Sequence, residues 1–266
     1  MKFTIYGNPV KHSKSPQMHN AGFKYIDFNA NYTKTLLEDG HFIKKHFLDN
    51  NINGANITVP YKEDAFEYAN EVKGIAKEIG AVNTYINENG KIIAYNTDAP
   101  GFIKAIEDFG RIKSALILGA GGTAKAIAVA LKNKNINTTI INRSEKKLEF
   151  FKHLKCKTYS WDELDYMAFP QHQLIINSTS AGLNDREYPI SKNILEHILI
   201  RADYAFDCIY GKQTPFLQLA KKEDLKYKDG EDMLLYQGVL AFELFTGIKA
   251  DIQVVEAMRK GLKYKI

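Results

Sequence analysis

The residues of this chain whose types and spacing could do chemistry are two neighbouring serines, a lysine, an aspartate and a glycine-rich turn. Four of the segments that carry them are short, polar and placed after apolar runs. The first is Gly7-Asn8-Pro9-Val10-Lys11-His12-Ser13-Lys14-Ser15-Pro16. Ser15 before Pro16 reads as the N-cap and first residue of a helix. Two hydroxyls at a positive helix end would cradle a carboxylate without an arginine; a plain helix cap is the alternative. His12 reads as a solvated loop residue. The second segment is Asn56-Ile57-Thr58-Val59-Pro60-Tyr61-Lys62. Pro60 ends a strand there and stands near the start of a helix, so Lys62 would project at the sheet edge. A lone lysine is ordinarily a solvated cation. The third is Gly80-Ala81-Val82-Asn83-Thr84, and the fourth Asn96-Thr97-Asp98-Ala99-Pro100-Gly101. Asp98 could be a simple N-cap, yet Asn-Thr-Asp is a dense polar cluster to follow so apolar a strand.

The fifth segment, Leu116-Ile117-Leu118-Gly119-Ala120-Gly121-Gly122-Thr123-Ala124-Lys125-Ala126, reads as strand, glycine turn and helix start. Gly119 permits the tight turn and Gly121 lets the backbone approach a pyrophosphate, which the free N–H groups and dipole of the helix would hold. The pattern GxGGxxKA is a variant of the dinucleotide fingerprint, and a tight β–α turn alone would also explain it. An NAD site carries an acid at the end of the following strand, to bind the ribose 2′-hydroxyl. Here that strand ends in Asn142-Arg143-Ser144. Arg143 suits adenine stacking and a 2′-phosphate, with Lys147 one turn on and Asn142 and Ser144 as added donors. NADP is favoured over NAD, although Ser144 also fits a helix cap.

The elements that position these residues follow from periodicity. Strands are expected over 3–6, 31–36 and 55–59, with helices over 16–25 and 41–48 between them, a β-α-β-α-β rhythm that argues for a mainly parallel sheet. Runs over 81–86 and 91–95 flank Asn89-Gly90, a strong hairpin signal. A linking helix over 99–109 precedes a second series: strands over 114–118, 138–141, 174–177 and 203–208, helices over 123–132, 145–154 and 214–222. Two helices, over 231–245 and 251–262, close the chain. No low-complexity linker occurs, so the two domains are expected to be joined by helices acting as a stiff hinge.

Composition bounds the rest. At 266 residues the chain suits two modest domains, and 36 basic against 31 acidic residues leave a dispersed charge of +5 with no basic stripe. Nucleic acid is therefore not an expected partner. The two cysteines, Cys156 and Cys208, form neither a disulfide framework nor a metal motif, and no metal is expected. With no signal-peptide pattern and no apolar run long enough for a bilayer, the expectation is a cytoplasmic protein without a membrane partner.

Taken together the motifs resemble those of the shikimate dehydrogenase family. Besides the five segments and Asn142-Arg143-Ser144, they include Asn177-Ser178-Thr179-Ser180-Ala181-Gly182-Leu183, Asp207-(x)-(x)-Tyr210 and Gly230-(x)-(x)-Met233-Leu234-(x)-(x)-Gln237-Gly238. The match runs in order over nearly the whole chain. It implies an α/β protein with an N-terminal substrate domain (1–100, completed by 233–266), a Rossmann-like NADP domain (101–232), and a cleft between them for the substrate. It implies reversible NADPH-dependent reduction of 3-dehydroshikimate to shikimate, by a monomer or homodimer. Lys62 and Asp98 match the acid–base pair. Ser13 and Ser15 match positions that hold the substrate carboxylate, with Tyr210 nearby. Thr58, Lys62, Asn83, Asp98 and Gln237 match those around its hydroxyls. Gly119, Ala120, Gly121, Gly122, Thr123, Asn142, Arg143, Ser144 and Lys147 match the cofactor site, and Thr179 and Gly230 its nicotinamide side. The chain departs from the family pattern in having Lys147 where arginine often stands and Ser144 for threonine, which would weaken NADP preference. A quinate-accepting paralogue, a catalytically silent nucleotide-binding regulator and a different two-domain NADP enzyme such as a folate dehydrogenase are the alternative readings; the first is disfavoured by the Asn142-Arg143-Ser144 tip, the second by the presence of both Lys62 and Asp98, and the third leaves Ser13-Lys14-Ser15 and Gln237 without a role.

Overall fold

The structure, a computed structural model, describes residues 1–163 and 170–263. In chain order the first elements are β1 (Lys2–Gly7), α1 (Ser15–Tyr25), β2 (Asn31–Leu36), α2 (Ile43–Asp49), β3 (Gly54–Ile57), α3 (Lys62–Tyr68), β4 (Glu71–Val72), α4 (Ala76–Ile79), β5 (Thr84–Glu88), β6 (Lys91–Tyr95) and α5 (Asp98–Ala105). There follow β7 (Ser114–Leu118), α6 (Gly122–Asn133), β8 (Asn137–Asn142), α7 (Glu149–His153), β9 (Lys157–Ser160), β10 (Leu174–Asn177), α8 (Lys192–Leu199), β11 (Tyr204–Asp207), α9 (Pro215–Lys222), β12 (Lys226–Lys228), α10 (Glu231–Thr246) and α11 (Ile252–Lys263). The chain divides into two compact units: Met1–Gly101 together with the chain from Leu235 onward, and Phe102–Leu234. It passes from one to the other inside α5 and again inside α10.

The first unit holds a six-stranded sheet ordered β2-β1-β3-β5-β6-β4. β1 lies parallel to β2 and β3, as the alternating rhythm requires, because each crossover carries a helix. β5 and β6 form the antiparallel hairpin signalled by Asn89-Gly90, whose φ values of 55° and 84° are those of a turn that matches strand twist. β5 begins at Thr84, so residues 81–83, expected as strand, instead form the loop that presents Asn83. Alternation along β1 supplies both faces of the core. Phe3 meets Phe23 of α1 and Phe245 of α10, with ring centroids 5.2 and 4.7 Å apart. Tyr6 packs on the opposite face with Ile43, Phe47, Ala65 and Tyr85.

The second unit has six strands ordered β12-β11-β10-β7-β8-β9, every pair parallel. That is the doubly wound order in which the chain reverses direction between β7 and β10. Its central strands β7 and β10 read as nearly continuous apolar runs because helices cover both faces; Leu116, Leu118, Ile175, Leu195, Phe216 and Leu217 belong to one such core layer. Among the described residues no helix is long and apolar enough to cross a membrane.

One core residue carries a titratable group that the aromatic layer cannot solvate. His19 of α1 is fully buried, stacks on Tyr32 at 4.5 Å and 2°, and has no well-formed hydrogen bond to either ring nitrogen. Burial drives its imidazole down to about 3, against a smaller upward pull from the Asn56 side chain. A folded-state value below the unfolded one means that the stability is present above about pH 6.5. It is lost as pH falls from there toward 3, because the unfolded chain takes up a proton that the folded chain refuses. We therefore expect His19→Phe to gain on the wild type by roughly 2 kcal/mol between pH 7 and 4.5 in urea unfolding. A difference constant with pH would remove His19 from the acid response.

Candidate active site

In the first unit the polar segments meet at strand ends, and the local structure decides between the readings that sequence left open. Asp98 opens α5, but it is not the cap. Asn96 takes that role, its Oδ1 accepting from the N–H groups of Asp98 (3.1 Å) and Ala99 (3.3 Å). The Asp98 carboxylate is thereby left for side chains. Lys62 Nζ donates to its Oδ2 at 2.6 Å and Asn83 Nδ2 to its Oδ1 at 2.9 Å. Asn83 Nδ2 also reaches Thr97 Oγ1 at 2.9 Å and Gln237 Oε1 at 3.3 Å, while its own Oδ1 accepts from Thr97 N at 2.8 Å. Lys62, Asp98, Asn83 and Gln237 are all buried. Lys62 is thus no solvated cation: it is the first residue of α3, held inside the cluster.

Gln237 reaches this cluster because α5 and α10 touch at a glycine. A Cβ on Gly101 would lie 2.6 Å from the Gln237 backbone nitrogen, so any larger residue would push α10 away. Thr58 follows β3 and donates its N–H to Tyr6 O at 2.8 Å, which sets it beside the end of β1. The loop after β1 carries the serine pair. α1 starts at Ser15 itself, with Lys14 in the capping position and no side-chain cap bond, which corrects the expectation of Ser15 as N-cap. Ser13 Oγ instead accepts from Ser15 N and donates to Ser15 Oγ, both at 3.2 Å. Two buried hydroxyls thus stand at the positive end of an 11-residue helix. His12 is exposed, as expected of a loop residue.

In the second unit the sequence-derived cofactor residues line the carboxyl edge of the parallel sheet in strand order. β7 runs into Gly119, at φ 108°, then Ala120 and Gly121, and α6 starts at Gly122 with Thr123 in its first turn. Gly119 N bonds Ile141 O at 2.8 Å, which brings the end of β8 beside the glycine turn. There Arg143 is exposed, and Lys147 is exposed nearby. Asn142 spends one amide proton on Ser144 O at 2.9 Å, and Ser144 occupies the N-cap position without a side-chain cap bond. The first acid beyond the tip, Glu145, turns to Lys152 at 3.7 Å. On the other flank Ser178 N bonds Leu118 O at 2.9 Å, and Thr179 Cγ2 would be 3.1 Å from a Cβ on Gly119. Beyond lie Tyr210, half-buried in the loop after β11, and Gly230, whose N–H bonds Ile209 O at 3.0 Å. A glycine cradle at a helix N-terminus, an exposed arginine and the missing acid fit a dinucleotide with a 2′-phosphate. No group of three His, Cys, Asp or Glu side chains able to hold a metal occurs among the described residues.

Two polar groups beneath this edge had no role assigned from sequence. Asp207 and Asn177, both fully buried, are bonded to each other at 3.1 Å. Their positions at the ends of β10 and β11 were readable, but that their side chains turn inward was not.

Comparison with known proteins agrees with this geometry. The shikimate dehydrogenase substrate binding domain matches residues 5–85, the shikimate / quinate 5-dehydrogenase domain 102–201, and the shikimate 5'-dehydrogenase C-terminal domain 230–260. The chain is 46% identical over 244 residues to the shikimate dehydrogenase (NADP(+)) of Helicobacter hepaticus, covering 91% of this chain and 90% of that one. It is 44% identical to the Helicobacter pylori protein of the same name, covering 92% of each. Among solved structures, shikimate dehydrogenase from Aquifex aeolicus superposes with a TM-score of 0.86 at 33% identity, over 99% of this chain and 98% of that one. Shikimate 5-dehydrogenase from Thermus thermophilus, solved with NADP(H) and shikimate, gives 0.86 at 28% identity over the same shares. Domain order, identity over nine-tenths of the chain and the fold of both units agree, and the chain belongs to the shikimate dehydrogenase family.

Proposed function

We propose that this chain is an NADP-dependent shikimate dehydrogenase that reversibly reduces 3-dehydroshikimate to shikimate, with Lys62 and Asp98 as its acid–base pair. The observation that carries the reading is the buried Lys62–Asp98 contact of 2.6 Å, inside a cluster whose other members, Asn83 and Gln237, are hydrogen-bonding amides suited to hydroxyls. A reduced dinucleotide whose pyrophosphate the glycine turn holds would supply a hydride to the ketone carbon of the substrate and be left in its oxidised form. As that C–H bond forms, the C=O π electrons move onto oxygen, and the Lys62 ammonium gives it a proton, leaving an alcohol and a neutral amine. In the reverse direction the amine takes the hydroxyl proton. Asp98 holds the lysine in place, and Asn83 fixes the carboxylate in turn.

The remaining residues divide between binding roles. Ser13 and Ser15 hold the substrate carboxylate with two hydroxyls at a helix N-terminus, and Thr58, Asn83 and Gln237 bind its hydroxyls. Gly119, Ala120, Gly121, Gly122 and Thr123 cradle the pyrophosphate, while Arg143, assisted by Lys147, Asn142 and Ser144, reads the 2′-phosphate. Thr179 and Gly230 line the nicotinamide side. The unit holding 1–101 and the C-terminal helices serves the substrate, and the unit 102–234 the cofactor.

Absorbance at 340 nm tests the function directly. NADPH oxidation by 3-dehydroshikimate, and NADP⁺ reduction by shikimate, should far exceed turnover of quinate or of NAD⁺; preference for quinate with NAD⁺ would contradict the assignment. Arg143→Ala should raise the KM for NADPH at least about tenfold and that for NADH little, since only the former carries the phosphate. Equal effects would take the 2′-phosphate away from Arg143. Ser15→Ala should weaken shikimate binding by about tenfold, roughly one hydrogen bond to a charged group, with NADPH affinity unchanged; a loss of thermal stability alone would make Ser15 merely a helix-start residue.

A further inference from the structure

The second unit contains a buried carboxylate that the reaction scheme does not use. Asp207 ends β11 with no exposed surface, and no basic side chain among the described residues pairs with it in an ion pair. Its Oδ1 accepts from Asn177 Nδ2 at 3.1 Å and Ile209 N at 3.0 Å, and its Oδ2 from Thr214 Oγ1 at 2.5 Å. Burial pushes the carboxyl up to about 6, with these donors pulling the other way. Oδ1 already takes the Ile209 N–H, so it faces Asn177 as an acceptor. Asn177 must therefore offer it the NH₂ end of its amide, and its carbonyl end must face the other way. That carbonyl oxygen accepts from both Thr179 Oγ1, at 2.7 Å, and Thr179 N, at 3.0 Å. With its proton so committed, the Thr179 hydroxyl presents a lone pair to Ala181 N at 3.2 Å, and its methyl faces Gly119 of the cofactor turn.

We propose that Asp207 is a positioning residue for hydride transfer: by dictating which way the Asn177 amide faces, it sets the rotamer of Thr179 and the wall at the nicotinamide end of the cofactor site. The inference rests on the reading of Thr179 as a nicotinamide-side residue. Asn177 is fully buried, so an amide turned the wrong way would find no water to satisfy it. The carboxylate at its back makes the wrong orientation costly, because two acceptors would then face each other. Displacement of a positioning wall by about 1 Å is enough to cost up to 100-fold in rate while leaving distant binding contacts intact.

The test compares Asp207→Ala, Asp207→Asn, Thr179→Val and the double variant Asp207→Ala/Thr179→Val, in the full-length enzyme. Turnover of the wild type with NADPH and 3-dehydroshikimate comes first, since its absence would sink the proposed function itself before any variant is read. D207A should lower kcat at least tenfold with the NADPH dissociation constant within threefold of wild type, and should raise the isotope effect with NADPH deuterated at the transferred position. D207N keeps an acceptor for Asn177 and should recover kcat to within about threefold. T179V should lose as much as D207A, and the double variant should be no more than twofold worse than either. If D207A does not fold, Asn177→Leu interrupts the same chain one step on and should reproduce the T179V loss. Losses that multiply in the double variant, a T179V that keeps kcat within twofold, or a D207N no better than D207A would each overturn the proposal, as would loss of thermal stability with kcat per folded enzyme unchanged.

Discussion

A buried ammonium held against a buried carboxylate is the constraint on which the first unit depends. The Lys62 and Asp98 side chains are 11% and 9% exposed and 2.6 Å apart. Taking each charge out of water costs several kcal/mol, and the attraction offsets this only where geometry is good and the remaining lone pairs are met. Asn83 meets the second oxygen of Asp98, and the backbone of Thr97 holds Asn83 in turn. Apolar residues of similar volume would fill such a space with equal or better stability, so the pair is poor evidence for stability and good evidence for chemistry. Several features of the fold serve it. β5 starts late, leaving Asn83 in a loop; Asn96 caps α5 so that Asp98 need not; and Gly101 admits the α10 backbone that carries Gln237.

The second unit meets a different demand, the proposed binding of a large anion by backbone. Parallel strands point their carboxyl ends to one edge, and the reversal between β7 and β10 opens a crevice there. Main-chain bonds tie one strand end to the next along this edge: Gly119 to Ile141, Ser178 to Leu118, Cys208 to Asn177 and Gly230 to Ile209. The buried carboxylate of Asp207 adds a side-chain tie that fixes loops from below. Its three donors come from the end of β10, the loop after β11 and the N-cap of α9.

Much of this was legible in the sequence because the signals are local. The Asn89-Gly90 hairpin, the strand running into Gly119 and the absence of an acid at 142–144 each depend on a few adjacent residues and their backbone preferences. The order of motifs along the chain points to the family by itself. Part of what the sequence left open depended on partners far along the chain. Whether Asp98 caps a helix or binds Lys62 turns on Asn96 and on a lysine 36 residues away. Ser15 was misjudged as the cap because Ser-Pro satisfies the local rule, while the chain places Lys14 there. β9 and β12 were not anticipated, since KTYS and KYK are short, half-exposed edge strands with almost no apolar pattern. Asp207 stood in an expected strand and in a family motif, but nothing local shows that its side chain turns inward.

The separation of binding from proton transfer is the central claim, and Lys62→Ala examined two ways tests it most directly. Shikimate binding measured by calorimetry should stay within about tenfold of wild type, because the serine pair and the amides remain. The kcat for 3-dehydroshikimate reduction should fall by about a thousandfold or more, the usual contribution of a positioned general acid. A folded variant that binds shikimate and still turns over within tenfold of wild type would contradict the account.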